Sequence, residues 1–275
     1  MGVRMAALAP HPPIIIPEIG GRERDRVKKT ITSMTRLAED IKNVDPDILI
    51  TISPHGPVFS DAISIIYQEE LTGDFSEFGA PEVNFKIDIN LELIDRLKKN
   101  ADKEGIDVFT LNKQSLQNYS ISPRLDHGVM VPLYFIQEAG VNKPVLPLTM
   151  GLLEYETLYK FGYIINRTLD EMDLKAVIVA SGDLSHRLKP GAPAGYSPVG
   201  RKFDQKLIEL LEKKSYRKIL KLDKGLIEKA GECGLRPLII MLGAIQNLEL
   251  DVDIMSYEGP FGVGYAVVEF YQMEG

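Results

Sequence analysis

The sequence predicts an α/β fold: a single three-layer αβα domain over residues 1–275, built on a central mixed, largely parallel sheet. Three observations lead there. Ala176-Val177-Ile178-Val179-Ala180 is a short run of small or β-branched apolar residues, the pattern of a fully buried strand. Two earlier apolar runs, 4–9 and 48–52, are separated by one helical pattern and both end in proline followed by histidine. Strand, helix, strand in that order is a right-handed crossover whose strands lie parallel. At the far end, 251–257 and 264–271 read as two strands joined by a Gly-Pro-Phe-Gly turn, an antiparallel hairpin that makes the sheet mixed.

The elements follow in order. The strand over 4–9 is stopped by Pro10-His11-Pro12-Pro13, whose prolines hold His11 in extended backbone. Val27, Ile31, Met34, Ala38 and Ile41 recur at three- and four-residue spacing and predict a helix over 22–43. The strand over 48–52 runs into Ser53-Pro54-His55-Gly56-Pro57, so His11 and His55 emerge at one sheet edge. Ile63, Ile65 and Ile66 suggest a strand, 69–81 is polar and contains glycine, and 83–89 alternates as a half-exposed strand does. A helix over 91–103 and a short strand near Val108 come next, and 112–125 reads as a surface loop. Asp126 then caps a helix over 129–139, which puts His127 at the positive end of its dipole. A strand over 145–150 and a helix over 154–172 lead to the strand at 176–180. The stretch 187–198, with three prolines and two glycines, is a rim or lid. A helix over 199–213, a second helical patch, the bend Ala230-Gly231-Glu232-Cys233-Gly234 and an apolar helix over 238–245 precede the closing hairpin.

Composition narrows the function. A net charge of -7 with no cluster of Lys and Arg argues against nucleic acid as partner. One cysteine leaves no intramolecular disulfide framework and suits a reducing cytoplasm. No apolar run approaches the ~18 residues of a membrane span, and the apolar start of the chain is too short for a signal peptide, so a cytoplasmic protein is expected. Gly262-Val263-Gly264 precedes no helix and reads as a turn, and no Gly-x-Ser-x-Gly elbow accompanies Ser181 or Ser185.

The chain has four histidines, His11, His55, His127 and His186, each at a strand end or helix start and each within reach of Gly or Pro. Imidazole is the commonest metal ligand and the usual base near neutral pH. Two histidines at a shared sheet edge with a carboxylate as third donor form a face that suits Fe(II), and zinc or copper fit such a site on ligand type alone. Glu232, Cys233 and Asp183 are the candidates for the third donor. Asp183 and His186, three residues apart just past the buried strand, stand where α/β sheets carry their chemistry.

Pro-His-Pro-Pro at 10–13, Ser-Pro-His-Gly at 53–56, Asp-His-Gly at 126–128 and Ser-Gly-Asp-Leu-Ser-His at 181–186 together resemble the class III extradiol ring-cleavage dioxygenase superfamily, nearest its Memo-like branch. The resemblance implies a metal site at the carboxyl ends of the strands, with Fe(II) on His11, His55 and Glu232. It implies His186 as acid/base, His127 as a group that binds substrate and oxygen, and a small catecholic substrate with O2 as partners. Two departures point elsewhere. Asp183 stands where ring-cleaving members usually have Gly, and Cys233-Gly234-Leu235-Arg236-Pro237 resembles the Memo-like Cys-Gly-x-x-Pro, in which cysteine takes the glutamate position. The alternative so implied is a metal-binding protein without ring cleavage, partnered by a protein or peptide and linked to a radical S-adenosylmethionine system. A homo-oligomer is compatible with either.

Overall fold

The computed structural model describes residues 1–272; the last three residues of the domain expected over 1–275 lie outside the described residues. An eight-stranded sheet organises the molecule, in the order β6-β3-β7-β2-β8-β1-β10-β9. Its strands are β1 (Gly2–Ala9), β2 (Ile48–Ser53), β3 (Ile63–Ile66), β6 (Val108–Leu111), β7 (Val145–Thr149), β8 (Lys175–Ser181), β9 (Asp251–Glu258) and β10 (Tyr265–Tyr271). β4 (Glu70–Phe75) and β5 (Ala80–Asp88) form a separate antiparallel hairpin. The centre β7-β2-β8-β1 is parallel, whereas β10 and β9 run antiparallel at one side and β3 meets β7 antiparallel at Ser64 and Thr149. β2 is buried along its whole length and β8 from Ala176 onward, which is why neither alternates in polarity.

The helices are α1 (Pro17–Gly20), α2 (Lys28–Val44), α3 (Leu91–Asp102), α4 (Lys113–Tyr119), α5 (His127–Glu138), α6 (Tyr155–Glu171), α7 (Gly200–Glu212), α8 (Tyr216–Ile219), α9 (Lys224–Ala230) and α10 (Leu235–Ile245). α2 and α5 pack on one face of the sheet, α6 and α10 on the other, giving three layers around one apolar core. α6 and α10 touch backbone to backbone: a Cβ at Gly243 would stand 1.9 Å from Tyr159 O, and one at Gly162 1.8 Å from Ile240 O. Among the described residues no helix is long and apolar enough to cross a membrane.

The mixed αβα architecture matches the expectation from sequence, with local differences. The helix expected over 22–43 begins as 3-10 turns over Gly21–Val27 and becomes α-helical only at Lys28. The loop expected over 112–125 contains α4, which Asn112 starts by accepting from the Ser115 N–H at 3.0 Å. The polar stretch 69–81 contains β4, whose alternate residues Leu71, Gly73 and Phe75 turn inward. What matters for the site is register. Ala9 pairs with Ser181 and Ser53 with Thr149, so the parallel strands end level at one edge.

Candidate metal centre

His11 and His55 stand where strands stop at that edge. Two residues past β1, His11 is buried, and its backbone N–H donates to Asp183 Oδ1 at 3.0 Å. Its Nδ1 lies 2.9 Å from Ser181 Oγ, the last residue of β8, which turns Nε2 outward. Two residues past β2, His55 donates its backbone N–H to Ser53 Oγ at 3.1 Å, and that hydroxyl donates to Asp126 Oδ1 at 2.6 Å. Asp126 also accepts from the Val129 N–H and so caps α5, as its position before His127 predicts. One cap carboxylate thereby ties the His55 turn to the helix that opens with His127.

The fifth group arrives from the other end of the chain. Gly231, with φ of 60°, ends α9 in the left-handed region, and the chain then folds against the turn after β8. A Cβ at Gly182 would lie 2.1 Å from Gly234 Cα, a contact that only two glycines allow. Cys233 and Gly234 both donate backbone N–H groups to Asp183 O, and the Asp183 N–H points at Cys233 Sγ at 3.3 Å. The thiol is delivered in this way to the histidines.

The four imidazoles converge. His11 Nε2 lies 2.9 Å from His55 Nε2 and 3.6 Å from Cys233 Sγ, which is itself 3.7 Å from His186 Nε2. His127 stacks on His55 with ring centroids 4.2 Å apart. Among the described residues, His11, His55 and Cys233 are the group whose ligand atoms all lie within 4.8 Å of one another. Of the three candidates for the third donor, Cys233 joins this group. Asp183 stays behind the His11 backbone, and Glu232 turns to accept the Leu235 N–H at 2.6 Å at the start of α10.

Burial disfavours the charged form of each of these groups. Burial, and then the other three histidines, hold His11 well below its usual value. His127 falls to about 4 through burial and His55, and His186 is lowered by the same two causes. His55 is lowered by the protein packed around it, against the pull of Asp126. Burial raises Asp183 and Glu232 each to about 7 and pushes the Cys233 thiol well up. Neutral imidazoles with converging lone pairs are the form that ligates a metal.

Supporting residues were not evident from sequence. Asp204 accepts from the Ser185 N–H at 2.8 Å and from Tyr257 OH at 2.6 Å, bracing the loop that carries Asp183 and His186. Phe78, on the β4–β5 hairpin, stands with its ring centroid 5.5 Å from that of His127. Ser53 and Ser181 carry a readable signal, since each directly follows a predicted strand and stands just before a histidine motif. Asp204, Tyr257 and Phe78 carry none.

Comparison with known proteins agrees with this architecture. In solved structures, an uncharacterized protein, JW3007, from Escherichia coli K12 superposes with a TM-score of 0.62 at 16% identity, covering 97% of this chain and 99% of that one. Protein CA_C1420 of Clostridium acetobutylicum is 38% identical over 262 residues, 95% of this chain and 56% of that protein. A MEMO1 family protein, MJ0403, of Methanocaldococcus jannaschii is 26% identical over 45% of this chain and 41% of its own length. A 2,3-dihydroxyphenylpropionate/2,3-dihydroxicinnamic acid 1,2-dioxygenase of Rhodococcus globerulus is 24% identical over 53% of this chain and 45% of its own. The chain thus spans about half the length of these curated relatives. Residues 5–268 match the family described as the catalytic LigB subunit of aromatic ring-opening dioxygenase, and the chain belongs to that family.

Proposed function

We propose that this chain is a metal-dependent oxidoreductase of the extradiol dioxygenase type, acting with O2 on a small catecholic substrate, its ion held by His11, His55 and Cys233. The observation that carries the reading is the convergence of those three ligand atoms within 4.8 Å, flanked by two further imidazoles. The donor set fits a borderline-soft divalent ion: two neutral nitrogens, one sulfur and no competing ammonium or guanidinium among the donors. Fe(II) is the ion that the family chemistry favours, and zinc or copper match the same donors.

Bound there, such an ion supplies Lewis acidity and one-electron chemistry. The chain supplies the rest. His186, kept neutral at pH 7, accepts the proton of a catechol hydroxyl at Nε2. His127, also neutral, offers a ring N–H to negative charge that develops on oxygen. Asp183 fixes the His11 backbone, and the Ser53–Asp126 pair fixes His55 relative to His127.

The thiol itself favours a second reading. A cysteine donor in place of Glu232 suits a Memo-like metal-binding protein without ring cleavage, whose cleft takes a protein or peptide and which belongs with a radical S-adenosylmethionine system. Metal analysis of anaerobically purified protein, with oxygen uptake measured against catechol, separates the two. About one iron per chain with uptake supports the dioxygenase, and His11→Ala then loses the iron while keeping the melting profile. Copper, zinc or no metal, with no uptake, moves the assignment to the binding protein. Stoichiometric metal retained in His11→Ala refutes the ligand set.

A further inference from the structure

We infer that Phe78, at the tip of the β4–β5 hairpin, is a specificity-determining residue that reads the substituent on an aromatic substrate by edge-to-face contact; this rests on the catecholic reading above. The hairpin is the one part of the described chain whose strands stand outside the main sheet; it joins the core through Leu71, Phe75 and Phe85 and is fastened as well to the segment that leads into the metal centre. Leu125 donates its N–H to Thr72 O at 3.0 Å, and Arg124 forms an ion pair with Asp74. A Cβ at Gly73 would lie 2.6 Å from Met130 Sδ and 2.8 Å from Leu125 Cβ, so β4 lies directly on the segment that carries Asp126 and His127.

The tip is shaped to present one ring. A single 3-10 turn over Ser76–Phe78 closes through the Gly79 N–H to Ser76 O at 3.1 Å, with Gly79 at φ of 82°. The turn throws Phe78 toward His127, at an interplanar angle of 68°. Behind it, Phe75 is fully buried, 6.1 Å from Phe78 and 5.5 Å from Phe85, both in edge-to-face geometry. Phe78 nevertheless keeps 37% of its surface exposed. A large aromatic held from behind, abutting a site imidazole and otherwise open, offers apolar surface that an aromatic ligand would cover. Glu77, the one acid of the turn, is exposed to solvent.

The substrate class this favours is a catechol bearing a planar, apolar substituent, the diol toward the histidines and the substituent toward Phe78. The test is calorimetric binding of catechol and of 3-phenylcatechol to the iron-loaded chain without oxygen, so that no turnover is needed. An aromatic pair of this kind is equivalent to roughly a 2- to 12-fold preference for the phenyl compound. The wild type should show that preference, Phe78→Tyr should keep it, and Phe78→Ala should bring it near one while the melting temperature stays within a few degrees. A preference that survives Phe78→Ala, or is absent from the wild type, overturns the inference. So does an equal loss for both ligands with a large fall in melting temperature, which marks a structural residue. Oxygen uptake with catechol alongside any of these results leaves the dioxygenase reading standing alone. Binding of neither catechol overturns both.

Discussion

Tyr257 illustrates how single residues govern this site from outside it. Its hydroxyl donates to Asp204 Oδ2, and Asp204 in turn holds the Ser185 N–H beside His186. Burial has raised Asp204 to about 6, with the Tyr257 hydrogen bond opposing the rise. Tyr257→Phe removes a donor that favours the charged carboxylate, so the pKa climbs further. The loss is therefore largest where Asp204 is ionised, above pH 6, and smaller below it. Urea denaturation should show Tyr257→Phe less stable by about 1–2 kcal/mol at pH 8 and by distinctly less at pH 5; an equal loss at both values would remove Asp204 from the account. The same contrast explains what sequence could reveal at this scale. His11, His55, His127 and His186 are legible because each sits beside its own strand end or helix cap. Asp204 and Tyr257 meet across 53 residues, and Phe78 meets His127 only through the hairpin's docking, so no local pattern records them.

Among elements, those with a strong period were legible and those created by docking were not. β2, β8 and the amphipathic α2, α3 and α6 declare themselves by apolar runs or helical spacing. β4 is a strand because β5 and the 124–130 segment give it partners, and α4 is a two-turn helix made by its Asn112 cap; short polar stretches carry neither fact. The bend before α10 stood between Glu232 and Cys233 for a similar reason. Adjacent residues point differently, and the Gly182–Gly234 contact, invisible in sequence, decides which one faces the histidines. The α6–α10 pair is held as closely by its glycines. Gly243→Ala sets a methyl against the Tyr159 carbonyl, a rigid backbone atom, so the helices must separate. Calorimetry should show a loss of roughly 2–3 kcal/mol, a fall of about 4–10 °C in Tm; an unmoved Tm would mean that the two helices stand further apart.

Over the whole molecule, a second group of interacting acids stands apart from the metal centre. The carboxyl ends of the parallel strands carry the neutral imidazoles and the thiol. β10 instead presents Glu269 beside Asp40 of α2 and Asp253 of β9, with Arg36 offsetting them in part. Glu269 is only 5% exposed, and burial followed by Asp40 raises it from 4.5 to about 7. The sign follows from proton count. Between those two values the folded chain keeps a proton that the unfolded chain has released, so stability present below about pH 4.5 is lost as pH rises through 7. The histidines act oppositely: buried neutral, they weaken the fold as pH falls below the ordinary imidazole value of about 6.5. Wild type alone therefore mixes two trends, and a difference is the clean measure. Glu269→Gln keeps the size and removes the titration. Its stability should match wild type near pH 5 and exceed it by on the order of 1–2 kcal/mol at pH 8, after discounting for solvent screening. Urea midpoints across that range should diverge with rising pH. If they ran parallel, Glu269 would titrate as an ordinary carboxylate, and this group of acids would bear no share of the pH dependence of the fold.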